Sequence, residues 1–144
     1  MKIVLTAALL LAATPSLAWE AGVEGTLCTL THAEDGIDVR LTFDPSGPLY
    51  TITLTTPEPW PEESRFGMAF YGPQPNMIMT DAHELSEDRR SITVSDRGFG
   101  NVLDGLQFNE GATGFTGLAV AAMSLEGAAP AVEAFRACGE TPSV

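Results

Sequence analysis

Beyond its first twenty residues the chain is patterned mainly with a period of two. Val23 to His32 is an apolar-rich extended stretch, and Ala33-Glu34-Asp35-Gly36 follows as a turn. Ile37, Val39, Leu41 and Phe43 then alternate with Asp38, Arg40 and Thr42, as a strand does with one face buried and the other in water. Asp44-Pro45-Ser46-Gly47-Pro48 is a second turn, after which Tyr50, Ile52 and Leu54 alternate with Thr51, Thr53 and Thr55. Short connections make these three strands a meander of neighbours. Pro57, Pro59 and Pro61 interrupt the pattern, because proline cannot donate to a central ladder. Alternation resumes at Phe66, Met68 and Phe70, and further short strands are expected at Asn76–Thr80 and Ser91–Ser95. Asp81–Arg90 and Asn109–Gly114 read as loops, and Val102–Leu106 as one helical turn.

The C-terminal part reads as a buried strand, Gly117–Leu125, running into a helix. At 100° per residue, Ala128, Ala131, Val132, Phe135 and Cys138 share one arc, with Glu133, Arg136 and Glu140 opposite. About seven strands and one substantial helix predict a mostly β chain. The expected form is an antiparallel β-sandwich or a partly open barrel, with the helix closing one end.

The N-terminus changes the compartment. Lys2, the apolar run Ile3–Ala13 and small residues at Ser16 and Ala18 have the form of a secretory signal cleaved between Ala18 and Trp19. The run is too short for a membrane span, and no later segment resembles one. Residues 1–18 are therefore expected to be removed, leaving residues 19–144 as a single periplasmic or secreted domain without membrane insertion. Cys28 and Cys138 are the only cysteines, and in an oxidising compartment they are expected to pair. Such a bond would tie the first strand to the last helix. A redox role would want a close Cys-x-x-Cys pair, which the chain lacks.

Charge then excludes several partners. Lys2 is the sole lysine, so the mature chain carries six arginines against nineteen carboxylates, a net charge of −13. Schiff-base and P-loop lysine chemistry are excluded, and an acidic surface repels nucleic acid and anionic lipid.

The candidate sites each have a bland reading beside the functional one. Thr80-Asp81-Ala82-His83-Glu84 is a cluster mixing histidine with carboxylates. His83 could act as a binding group or general base, or sit in a solvated loop. His32 is the only other histidine, which is too few ligands for a typical metal site, so no metal or other cofactor is expected. In Asp96-Arg97-Gly98-Phe99-Gly100-Asn101, Arg97 could clamp an anionic group with Asn101 nearby. Equally, Asp96 could cap a turn, Phe99 fill the core and Asn101 cap the following helical turn. Gly98-Phe99-Gly100 lacks the spacing of a dinucleotide loop. Trp60, between prolines, could be an exposed binding platform or could pin its loop to the core. Glu34, Asp35, Asp38 and Asp44 lack calcium-loop spacing, and no Gly-x-Ser-x-Gly elbow is present.

The export signal, the Cys28 strand, Asp96-Arg-Gly-Phe-Gly-Asn-Val-Leu-Asp-Gly-Leu106 and Ala129-Pro-Ala-Val-Glu-Ala-Phe-Arg-Ala-Cys138 together resemble a group of small exported alphaproteobacterial proteins without an assigned activity. Ser124-Leu125-Glu126-Gly127 and the helix after it are similar to the end of the invasion-associated locus B family of periplasmic proteins. Neither resemblance carries over a functional residue. The leading expectation is a monomeric, non-catalytic binding or envelope-associated accessory protein, whose partner is a protein or small molecule. The alternative is a small periplasmic hydrolase using His83 with Asp81, Glu84 or Asp96.

Overall fold

The computed structural model describes residues 18–140, so residues 1–17 of the expected signal and residues 141–144 lie outside the described residues. Among the described residues, ten strands form two antiparallel sheets that do not close into a barrel, and two helices pack beside them. The first sheet begins as a meander: β1 (Glu20–Glu24), β2 (Leu27–Glu34), β3 (Ile37–Asp44) and β4 (Leu49–Thr55). The chain then crosses to the second sheet for the hairpin β5 (Phe66–Tyr71) and β6 (Asn76–Thr80). It returns for β7 (His83–Leu85) and β8 (Ser91–Asp96), forms α1 (Gly100–Gln107), and crosses again for β9 (Gly111–Thr116) and β10 (Ala119–Ser124). Helix α2 (Ala128–Glu140) ends the described chain. Strand order is β1-β2-β3-β4-β8-β7 in the first sheet and β10-β9-β5-β6 in the second.

The fold class matches the expectation, with several local differences. The stretch Val23–His32 is two strands, because Gly25 takes φ +60 and turns the chain between Glu24 and Leu27. Asp35 and Gly36 both have positive φ (48 and 80), forming the two-residue hairpin turn between β2 and β3. Asp81–Arg90, expected as a loop, contains the three-residue strand β7 paired with β8. Gly111–Thr116 falls largely in another expected loop, yet it is a central strand of the second sheet.

The alternation places the core between the sheets. Leu30, Leu41, Ile52, Leu54 and Ile92 face inward from the first sheet, and Phe66, Met68, Phe70, Ala121 and Met123 from the second. Outward on the first sheet lies a hydroxyl-rich lattice, bonded across strands by Thr42–Thr51 (2.6 Å), Thr53–Thr93 (2.9 Å) and Thr55–Ser91 (2.7 Å).

One end is closed by the helices. Helix α2 buries Ala128, Ala131, Val132 and Phe135, as its apolar arc requires. Tyr50 stacks between Phe43 (4.3 Å) and Phe99 (5.4 Å) and meets Phe135 at 6.3 Å. Arg136 of α2 bonds Asp104 of α1 at 2.6 Å. The Cys28–Cys138 disulfide joins β2 to α2 with Cα atoms 6.1 Å apart. Trp19, the residue after the expected cleavage point, is buried: its ring stacks on His32 at 4.5 Å and its Nε1–H donates to the Ser124 carbonyl. Among the described residues, no helix is long and apolar enough to cross a membrane.

Candidate functional site

A cavity of about 600 Å³ lies between the sheets and opens beside the start of α1. Ile52 and Val94 project into it from the first sheet, Phe66, Met68 and Ile78 from the second, and Phe99 and Val102 from the entry to α1. These positions follow from register. Val94 sits opposite Ile52 and Met68 opposite Ile78, so their side chains share the core face. The polar lining is Thr80, Ser95, Asp96 and Asn101, and no histidine, cysteine, lysine or arginine contributes. The apolar walls bind by excluding water; the few polar groups orient what enters.

The Asp96–Asn101 stretch forms part of this lining, and of its expected local roles only the Asn101 cap is not met. Asp96 Oδ1 accepts the Arg97 backbone N–H at 2.6 Å, which fixes the turn at the end of β8. Phe99 is buried and stands at the N-cap position of α1 with no side-chain cap. Asn101 is therefore not the cap. It lies one residue inside α1, exposed, and its carbonyl accepts from Asn76 Nδ2 at 3.3 Å. Arg97 is exposed next to Asp96 and Gly98, which both line the cavity, but Arg97 does not.

His83 and Trp60 lie elsewhere. His83 Nε2 sits 3.0 Å from the Glu63 carbonyl oxygen. A carbonyl only accepts, so Nε2–H is the donor. Nδ1 is buried without a hydrogen-bond partner among the described residues. Glu84 follows His83 along β7 and so points to the opposite face of the sheet. The ring partner of His83 is thus a main-chain oxygen rather than one of the carboxylates expected to orient it.

Trp60 is only 2% exposed, with its ring edge-on to Phe66 at 6.1 Å, and its indole N–H has no acceptor among the described residues. It pins the proline segment to the core, and its burial overturns its reading as an exposed platform. Among the described residues, no group of three or more His, Cys, Asp or Glu side chains is placed to hold a metal ion.

Met68 was legible from alternation, and Ile78 and Val94 lay within expected short strands. Their role as cavity walls was not legible, because the gap depends on how far the two sheets stand apart at β6 and β8. No protein-family model matches the chain, and no curated protein or solved structure is significantly similar to it.

Proposed function

We propose that this is an exported, non-catalytic binding protein that holds a small, mainly apolar ligand between its sheets. The cavity of about 600 Å³ carries the reading, since it falls within the range of small-molecule sites and has apolar walls with a few polar groups. Asp96 and Ser95 suit a ligand with one hydrogen-bond-donating group on an otherwise hydrophobic body. The disulfide and the N-terminal signal pattern support a periplasmic or secreted location.

Titration of the purified protein with the neutral fluorophore N-phenyl-1-naphthylamine tests this. Saturable one-to-one binding is expected, and Ile78→Trp, which fills the cavity, should weaken it at least tenfold with the melting temperature retained. Absence of saturable binding, or equal binding by the filled variant, would overturn the reading.

A further inference from the structure

A second binding feature lies on the other side of the sandwich, at the edge of the second sheet. Among the described residues, strand β10 has a neighbour on one side only, β9. Its sequence, Ala119-Val-Ala-Ala-Met-Ser124, contains no charge and no proline, the usual devices that protect an edge. The direction of its free groups can be read from one end. The Ser124 N–H donates to Glu34 Oε1, and the Ser124 carbonyl accepts from Trp19. The Leu125 N–H turns the other way, to the Glu110 carbonyl beside β9. Outward and inward residues alternate in an antiparallel ladder, so Val120 and Ala122 also direct both backbone groups away from β9. Both residues are exposed, and among the described residues no hydrogen bond takes these groups.

A groove of about 310 Å³ lies at the start of this edge, where Ala119 and Val120 line it. Ile37, Pro57, Pro59 and Trp60 provide apolar walls, while Asp35 and Glu58 provide the only charges of its lining. The proline segment does not pair with β10; it directs the N–H groups of Thr56 and Trp60 to the carbonyls of Arg90 and Arg89 instead. Glu34 holds the closed end, and the side chain of Glu63 lies against Gly117 at the other. The slot therefore offers two donors and two acceptors of main chain, an apolar trough and an acidic surround.

We propose that β10 accepts an extended peptide of alternating apolar and basic residues as an added strand, apolar side chains entering the groove and basic ones meeting Asp35 and Glu58. The backbone supplies affinity in such a mode and the pockets supply selectivity. This site is separate from the cavity at α1, so either can fail alone.

The test uses ¹⁵N-labelled protein titrated with acetyl-Lys-Val-Lys-Val-Lys-Val-amide and with its counterpart carrying Glu in place of Lys. Saturable shifts centred on the Val120 and Ala122 amides are expected, with the Glu peptide at least tenfold weaker. Ala122→Pro, which removes an outward donor, should weaken binding at least tenfold. Val120→Lys, which keeps the backbone unchanged and adds a like charge, should do the same if the proline variant fails to fold. Equal affinity for both peptides, shifts away from β10, or indifference to Val120→Lys would overturn the proposal. So would concentration-dependent dimerisation through β10 without peptide binding, which would make a second copy the occupant.

Discussion

A methyl group placed on Gly105 would lie 2.5 Å from the ring of Phe70. Helix α1 is thus held against β5 by a bare backbone, and Phe70, 2% exposed, has no room to retreat. Two effects oppose each other in Gly105→Ala. Alanine in a helix interior is favoured over glycine by about 1 kcal/mol. Forcing a methyl into a filled core costs about 1–3 kcal/mol. Overpacking should win, so the variant should be less stable in urea, by about 1 kcal/mol or more. A stabilised variant would show that α1 can lift from Phe70.

The same contact shows which parts of this fold the sequence discloses. Strands β3 and β4 were legible because Ile37–Phe43 and Tyr50–Leu54 alternate cleanly, with one face buried and one bearing threonine. Strand β9 was hidden because Gly111-Ala-Thr-Gly has the composition of a loop. Its glycines are there because side chains occupy their space: a methyl on Gly114 would meet Leu54 at 2.4 Å, and one on Gly111 would meet Tyr71 at 2.4 Å. Strand β7 is three residues long, too short to display a period. The Asp96–Asn101 stretch was distinctive in the sequence, but the cavity beside it was not visible there. Asp96 and Asn101 line a cavity whose walls come from both sheets, and spacing along one chain cannot reveal such a gap.

The disulfide spans a sequence separation of 110 residues and links the second strand to the last helix. In the chain-entropy picture, closing a loop of roughly 100 residues restrains the unfolded chain by up to about 4.7 kcal/mol. Reduction, or the Cys28→Ala/Cys138→Ala pair, should lower the melting temperature by roughly 10 °C or more, at about 2–8 °C per kcal/mol. An unchanged midpoint would show that α2 is held by packing alone.

Trp60 separates packing from polarity. Trp60→Ala empties a buried site against Phe66 and should cost about 3–5 kcal/mol. Trp60→Phe loses volume but also removes an indole N–H that has no acceptor among the described residues. An unsatisfied buried donor costs about 1–3 kcal/mol, which offsets part of the lost contact. The phenylalanine variant should therefore lie much closer to the parent than to the alanine variant in urea unfolding. Similar losses in both would mean that the indole N–H is satisfied in solution.

Glu24 and Arg40 give the acid response a definite sign. Both carboxylate oxygens accept from the guanidinium, at 3.2 and 2.6 Å, on the outer face of the first sheet. The hydrogen bonds to Arg40, reinforced by its charge, hold the Glu24 carboxyl below its ordinary value. Asp44 shifts the same way through the Ser46 hydroxyl and amide, and Asp88 mainly through the Ser86 hydroxyl and the Arg90 amide. A carboxyl whose value is lower folded than unfolded binds fewer protons in the native state. Its contribution is present above the unfolded value, near 4.3 for Glu, and is lost as pH falls through the lower folded value. Glu24→Gln should therefore be less stable than the parent at neutral pH, by a small amount because the pair is solvent-exposed. The two proteins should converge in melting temperature as the pH drops below about 4. Raising the salt concentration at neutral pH should narrow the difference, since exposed pairs are screened. A difference that persists unchanged at low pH would mean that Glu24 acts through packing rather than through its charge.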